Sequence, residues 1–307
     1  MIPPRLFTPE DGRRPRHEAP ERETPEAALG GRPPNGYNTS MPVVGAMLAP
    51  RLLIAVTAVC GAASLGLFGW FAAFGPLGLI RFRFDPATLL AFDAALSGFF
   101  FVQHSVMIRV CCRRAASRLI PEHYCGAVYT IASAVALSAL VLLWQESTAP
   151  LFEAGDRLRW LVRSPAVLGG AVFLWTAGAL GKTDLFGVGA IRARMNNTSP
   201  NSPRFLVRGP YRWVRHPAYL ASILVLWSQP RLTADRLLLN VLFTAWILTG
   251  AWLEERDLAA RFGQPYRDYQ RRVPMLLPWR RPERPYSVAG GSTVGSDLLR
   301  TDRGGEP

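Results

Sequence analysis

The chain has 307 residues, of which 49% are apolar, and it carries a formal charge of +13 and a mean hydropathy of +0.12. This combination is typical of a small membrane protein with basic loops and argues against a soluble globular domain. The positive charge lies in loops between apolar segments and no nucleic-acid-binding motif accompanies it, so we expect no nucleic-acid partner.

Apolar segments of membrane-spanning length follow one another through the middle of the chain. The first contains 29 residues without a formal charge, more than the roughly 20 that a spanning helix needs. The fifth is too short to span squarely, so we expect it to pair with the sixth as a hairpin. We therefore predict an all-α, polytopic membrane helix bundle with five to six transmembrane segments. The predicted segments are 52–80, 86–108, 124–145, 164–181, 217–230 and 237–253.

The two ends of the chain differ from this apolar middle. Residues 1–50 and 281–307 are rich in proline, glycine and charged residues and lack an apolar period. Such segments bury too little apolar surface to offset the entropy lost on ordering. We predict that both are disordered tails and that the folded membrane domain covers residues 51–280.

The four cysteines do not have the spacing of a disulfide framework or a metal site. Cys60 and Cys125 lie in apolar runs, and Cys111 and Cys112 are adjacent without a CxxC or Cys/His pattern. We interpret them as free thiols and expect no metal ion.

Ionisable and aromatic residues crowd both ends of the C-terminal hairpin. Residues 209–219 read GPYRWVRHPAY, and a Glu254-Glu255 pair follows about 35 residues later. A bilayer crossing alone does not need such residues, so their concentration indicates a site. Pro217 suits the first turn of a helix, whose free N–H groups bind anionic or carbonyl atoms. Glu254 can accept hydrogen bonds from hydroxyl or ammonium groups.

This ordered pattern resembles the C-terminal half of the isoprenylcysteine carboxyl methyltransferase superfamily. Within it the likeness is to the bacterial branch that contains methanethiol S-methyltransferases and NnrU-like proteins. The signature continues with Leu258, Phe262-Gly263, Tyr266, Tyr269 and Val273-Pro274. The resemblance implies an integral membrane enzyme of the bacterial inner membrane that uses S-adenosyl-L-methionine, and it makes 51–280 a membrane methyltransferase domain with a C-terminal cofactor-binding hairpin.

Carried over residue by residue, the resemblance implies where the cofactor binds. It assigns S-adenosyl-L-methionine contacts to the tyrosine of the G-x-Y step, to the His-Pro-x-Tyr run and to the first glutamate of the pair. The corresponding residues are Tyr211, His216, Pro217, Ala218, Tyr219 and Glu254. The pattern does not single out a catalytic residue.

The methyl acceptor is a small molecule by the same resemblance, and several candidates remain open. Isoprenylcysteine enzymes carry an arginine for the substrate carboxylate where this chain has Gly250, which favours a neutral small thiol such as methanethiol, methylated to dimethyl sulfide. Methylation of a lipid or isoprenylcysteine carboxylate is one alternative, and a non-enzymatic NnrU-like accessory protein of nitrogen-oxide metabolism is another. The candidate substrate-binding residues are Gln103, His104, Arg109 and Arg256.

The distribution of charge between loops predicts the topology. Residues 109–118 carry four arginines, whereas the three acidic and three basic residues of 146–163 balance. Because basic loops stay in the cytoplasm, both termini are expected there. A reporter fused near Arg157 should be external and one fused at the C-terminus cytoplasmic; the opposite result at either position would contradict this topology.

Overall fold

The computed structural model describes residues 43–108, 120–180, 184–198 and 204–289. Within these residues, five helices are long and apolar enough to cross a membrane, and a shorter apolar helix covers Pro217–Trp227. This confirms the predicted all-α membrane bundle. The helices are α1 Val43–Phe74, α2 Pro86–Ile108, α3 Cys125–Leu143, α4 Asp156–Leu180, α5 Gly189–Met195, α6 Pro217–Trp227, α7 Ala234–Phe262 and α8 Gln264–Arg272.

Two antiparallel pairs of short strands connect loops at the two ends of the bundle. Strand β1, Pro150–Glu153, pairs with β3, Arg231–Thr233. Strand β2, Arg204–Val207, pairs with β4, Tyr286–Ala289, so that Val207 lies opposite Tyr286.

The predicted start of α4 was wrong, because Pro165 lies inside this helix and not in its first turn. The helix begins at Asp156. A proline lacks the N–H that would donate to the carbonyl four residues earlier, here that of Leu161. Ser164 Oγ donates to the same carbonyl at 2.8 Å, so the freed acceptor keeps a partner.

The bundle is built around α3, which packs against α1 and α2, while α7 packs against α2, and α6 lies between α4 and α7. Gly169 of α4 faces α6 so closely that a Cβ atom there would lie 2.8 Å from the carbonyl oxygen of Ala221. A small residue at this crossing permits the close packing that holds membrane helices together. The buried core consists of Phe71, Ala72, Phe100, Ala136, Leu137, Leu140, Val141, Trp144, Leu226, Leu239, Phe243 and Ile247.

Buried polar side chains occupy the end of the bundle at which α1 and α3 finish, which we call the capped end. Asp235 accepts hydrogen bonds from Trp144 Nε1 at 3.1 Å and from the amide of Ser147 at 3.0 Å. Arg236 donates to the carbonyl of Phe71 at 2.7 Å, and Gln229 donates to the carbonyl of Ala72. The Gln229 contact supplies a partner for a carbonyl in the last turn of α1, a kind of group that helix ends leave unpaired and that is costly to leave so inside a membrane.

The opposite end, at which α2 and α7 finish, carries a second core outside the apolar bundle, and we call it the site end. This core packs α8 and the β2–β4 ribbon onto the last turns of α7. Its buried members are Phe205, Val207, Tyr266, Tyr269 and Val273, with Leu258, Phe262 and Tyr286 packed against them.

The chain remains structured beyond residue 280, where the sequence predicted the folded domain to end. Residues 281–289, the C-terminal strap, include β4 and cross the 3₁₀ turn at Gly209–Arg212. The amide of Glu283 donates to the carbonyl of Arg212 at 2.9 Å, and its carboxylate accepts from Arg272 at 3.3 Å. Arg212 Nε also donates to the carbonyl of Glu283 at 2.5 Å. Three polar contacts and a strand pairing therefore hold the strap, although its composition resembles that of a tail.

Removing the strap should lower the stability of the site end. Deletion of residues 281–307 removes Tyr286 and exposes the side chains that pack against it. Loss of one such aromatic contact should lower the free energy of unfolding by about 2 kcal/mol, which corresponds to a thermal midpoint lower by roughly 4 to 8 °C. Deletion of 290–307 alone is the matched control and should leave the midpoint unchanged. Equal midpoints for the two deletions would show that the strap does not support the fold.

Candidate functional site

A buried ion pair between Arg215 and Glu255 lies at the centre of the site end. Arg215 Nε donates to Glu255 Oε1 at 2.6 Å, and a terminal guanidinium nitrogen donates to Oε2 at 3.1 Å. The two side chains are only 11% and 12% exposed. This is the bidentate geometry in which arginine binds a carboxylate most strongly.

The same arginine joins segments that are far apart in the chain. Its other terminal nitrogen donates to the carbonyl of Gln270 at 2.7 Å and to that of Val273 at 3.1 Å. The amides of Arg215 and His216 donate to the carbonyls of Pro274 and Met275 at 2.9 and 3.1 Å. The start of α6, the end of α7 and the segment after α8 are thus fixed against one another.

Glu254, the residue that the family resemblance assigns to the cofactor, lies next to this ion pair. Tyr219 donates its hydroxyl hydrogen to Glu254 Oε2 at 2.7 Å, and His216 Nδ1 lies 3.9 Å from the same oxygen. The rings of His216 and Tyr219 stack with their planes 4° apart and their centroids 5.2 Å apart. The structure therefore brings together the histidine, the tyrosine and the glutamate of the predicted cofactor site.

Tyr211 lies on the Gly209–Arg212 turn beside this cluster. Its carbonyl oxygen accepts a hydrogen bond from the Tyr269 hydroxyl at 2.6 Å, which fixes the turn. Burial and the nearby negative charge of Glu254 raise the pKa of the Tyr211 phenol. The phenol consequently stays protonated at neutral pH and can act as a hydrogen-bond donor.

The two adjacent glutamates differ in how much hydrogen-bonding capacity remains. Glu255 makes four hydrogen bonds, two with Arg215 and one each with His216 and Gln270, which is about the capacity of a carboxylate. Glu254 is 24% exposed, twice the exposed fraction of Glu255. Glu254 therefore has accessible acceptor capacity for a ligand, whereas Glu255 is committed to the fold.

The first turn of α6 supplies the complementary donors. Pro217 lacks an N–H, and the first backbone bond into this helix runs from Leu220 to His216 at 3.1 Å. Among the described residues, the amides of Ala218 and Tyr219 have no backbone acceptor, as expected for a helix start. Free amides beside an accessible carboxylate suit a ligand that carries both a carboxylate and hydroxyl or ammonium groups.

A second polar cluster lies between α2 and α3, also toward the site end. The hydroxyl oxygen of Tyr129 lies 2.9 Å from His104 Nε2. Gln103 Nε2 donates to Ser133 Oγ at 3.4 Å and approaches the sulfur of Met107 at 3.0 Å. The predicted substrate residues Gln103 and His104 therefore adjoin two hydroxyl side chains of α3.

Of the other two predicted substrate residues, the structure describes only Arg256. Arg109 lies outside the described residues. Arg256 is exposed, with its guanidinium carbon 4.9 Å from the ring centroid of Trp252. None of these observations tests ligand binding, so the assignments remain predictions.

The family resemblance did not identify several residues that the structure places in the two polar clusters. Arg215 and Glu255 stand in the same motif as the assigned residues, so the sequence did contain a signal for them. Gln270, Tyr129 and Ser133 had no comparable signal, because only the packing of α8 and α3 places them in contact.

The bundle and its site end, together with the ordered motif, define a membrane-embedded methyltransferase. The chain belongs to the methanethiol S-methyltransferase family within the isoprenylcysteine methyltransferase-like superfamily. It is 34% identical to the methanethiol S-methyltransferase of Mycobacterium tuberculosis over 248 residues, which cover 73% of this chain and 96% of that protein.

Two further relatives in other bacteria carry the same name. The chain is 34% identical to a methanethiol S-methyltransferase of a Pseudomonas species, over 61% of this chain and 73% of the relative. It is 31% identical to the methanethiol S-methyltransferase of Crocosphaera subtropica, over 62% of this chain and 76% of the relative. No family model matches the chain, and no solved structure matches it.

The two glutamates provide a matched pair for testing the division of roles. Glu255→Gln leaves the Arg215 guanidinium without a charge partner in a mostly buried position, which should cost roughly 3 to 5 kcal/mol of stability. Glu254→Gln makes the same chemical change at a more accessible carboxylate and should cost less than about 1 kcal/mol. Thermal midpoints of the purified variants measure the difference, and a larger loss for Glu254→Gln would overturn the assignment.

Proposed function

We propose that this protein transfers a methyl group from S-adenosyl-L-methionine to methanethiol and so forms dimethyl sulfide. The observation that carries the proposal is the accessible Glu254 carboxylate, held beside the free amides of Ala218 and Tyr219. The names of the curated relatives support the acceptor. Membership of an enzyme family argues against the accessory-protein alternative.

The cofactor end of the proposed site is the Glu254 cluster. Amides at the start of α6 would hold the carboxylate of the methionine portion, and Glu254 would accept from its ammonium group or from the ribose hydroxyls. The aromatic faces of Tyr219 and Tyr211 favour a cationic sulfonium. S-adenosyl-L-methionine supplies an activated methyl group, so the protein needs to bind and align the reactants and exclude water.

The acceptor end of the proposed site is the His104 cluster. His104 packs against Trp246, with ring centroids 5.3 Å apart, and Trp246 precedes Glu254 by eight residues, or about 12 Å of helix. Tyr219 packs against the same core as Trp246 and donates to Glu254, so it connects the two ends. An elongated donor reaching from Glu254 toward His104 fits this spacing.

The position of Gly250 favours a neutral acceptor. This residue is buried in α7, four residues before Glu254, and it offers no side chain to a substrate carboxylate. A carboxylate in a poorly hydrated pocket without a charge partner would lose several kcal/mol. Methanethiol avoids this cost because it is small and neutral when it binds.

The proposed reaction is a displacement at carbon. The methanethiol sulfur forms a bond to the methyl carbon as the bond from that carbon to the donor sulfur breaks, and the bonding electrons return to the donor sulfur. The thiol proton leaves to the aqueous side. The products are dimethyl sulfide, S-adenosylhomocysteine and one proton.

The test incubates the purified protein in lipid nanodiscs with S-adenosyl-L-methionine and methanethiol and measures volatile products by headspace gas chromatography. We expect dimethyl sulfide from methanethiol and no methyl ester from a prenylcysteine analogue. Glu254→Gln should raise the dissociation constant for S-adenosyl-L-methionine, measured by calorimetry, about 10-fold to 100-fold, because it removes a charge-assisted acceptor. Exclusive methylation of the prenylcysteine carboxylate would overturn the proposal.

A further inference from the structure

The polar cluster between α2 and α3 contains an acceptor that the fold leaves unused. Gln103 Oε1 is buried and has no hydrogen-bond partner among the described residues, although the nitrogen of the same amide contacts Ser133 and Met107. A buried acceptor without a partner costs about 1 to 3 kcal/mol. A ligand that supplies a donor at this position would recover that loss.

The neighbouring hydroxyl constrains the state of His104. The Tyr129 hydroxyl oxygen lies 2.9 Å from His104 Nε2 and 3.3 Å from His104 Nδ1. If the Tyr129 O–H donates to Nε2, the nearer ring nitrogen, the proton of a neutral His104 resides on Nδ1. In this arrangement His104 presents a donor and Gln103 presents an acceptor.

Aromatic rings enclose the same histidine. The ring centroid of His104 lies 5.4 Å from that of Phe100 and 5.3 Å from those of Tyr129 and Trp246. Sulfur makes favourable contacts with aromatic rings, so a thiol bound next to His104 would have ring surfaces beside it. The enclosure suits a small, uncharged sulfur compound and disfavours a bulky or charged one.

Backbone contacts fix Tyr129 in this position. The adjacent Thr130 donates its hydroxyl hydrogen to the carbonyl of Phe186 at 2.8 Å. Phe186 precedes Gly187, which approaches Gly126 so closely that a Cβ atom on Gly126 would lie 2.3 Å from the Gly187 carbonyl oxygen. The start of α3, and Tyr129 with it, is therefore held against the chain that leads into α5.

We propose that Gln103, Tyr129 and Ser133 form the thiol-recognition pocket of this enzyme together with His104. Gln103 Oε1 accepts the S–H hydrogen bond of the acceptor, Ser133 holds the nitrogen of the same amide, and Tyr129 sets the tautomer of His104. The unpartnered amide oxygen matches the S–H donor of a thiol, whereas it repels a carboxylate. This inference rests on the proposed function and adds Tyr129 and Ser133 as positioning residues.

The experiment measures KM for methanethiol, kcat and S-adenosyl-L-methionine binding for Gln103→Met and Tyr129→Phe. Asn240→Leu is the matched control, since both atoms of that amide are buried and unpartnered among the described residues, but at the capped end. We expect Gln103→Met to raise KM about threefold to tenfold, the worth of one neutral hydrogen bond. Tyr129→Phe should lower kcat, and neither variant should alter cofactor affinity.

Asn240→Leu should leave KM, kcat and cofactor affinity unchanged. An unchanged KM for Gln103→Met, in a variant that still binds S-adenosyl-L-methionine, would overturn the inference, as would equal effects of Gln103→Met and Asn240→Leu. Failure of the wild-type protein to methylate methanethiol would instead overturn the proposed function. Loss of cofactor binding in Tyr129→Phe would show that Tyr129 supports the fold and not the acceptor, which also overturns its assigned role.

Discussion

The Arg215–Glu255 pair is the interaction on which the site end depends. In the poorly hydrated region where a bundle meets its loops, a charged pair is stable only if nearly all of its hydrogen-bonding capacity is used. Arg215 meets this condition by bonding Glu255 and two carbonyls of the segment around α8. Because Arg215 and its partners come from three separated parts of the chain, the pair fixes these segments against one another.

Polar groups whose hydrogen-bonding capacity is used inside the protein have a different role in this fold from those with capacity left over. Asp235 at the capped end and Glu255 at the site end use their oxygens for internal contacts, and both hold segments together. Glu254 keeps accessible capacity beside free helix amides. An unpartnered group alone does not mark a site, since the Asn240 amide also lacks a partner among the residues that the structure describes. The neighbouring groups of matching chemistry distinguish Gln103.

The chemistry of methyl transfer explains why so few charges surround the proposed acceptor. The positive charge of the donor disappears during the reaction, so an apolar, aromatic surrounding that aligns two reactants is more useful than a set of acids and bases. The rings around His104 provide such a surrounding. The polar groups proposed to bind the donor are concentrated around Glu254.

The sequence by itself determined that the chain forms a bundle of five to six apolar membrane helices, and it grouped Tyr211, His216, Tyr219 and Glu254. Bilayer thickness imposes long uncharged runs that are visible along the chain. Prolines were less informative, since Pro86 begins α2 as predicted whereas Pro165 lies within α4. A local pattern does not reveal whether another side chain, here Ser164, satisfies the carbonyl that a proline frees.

Only the tertiary structure shows the physical reason why Glu255 is committed to the fold while Glu254 remains accessible. Neighbours along a helix point in different directions, and the surroundings of Glu254 and Glu255 come from α6 and α8, not from their own sequence. The contact of Tyr129 with His104 and the ordering of residues 281–289 depend equally on distant partners. Contacts between segments are set by packing, which composition and spacing do not encode locally.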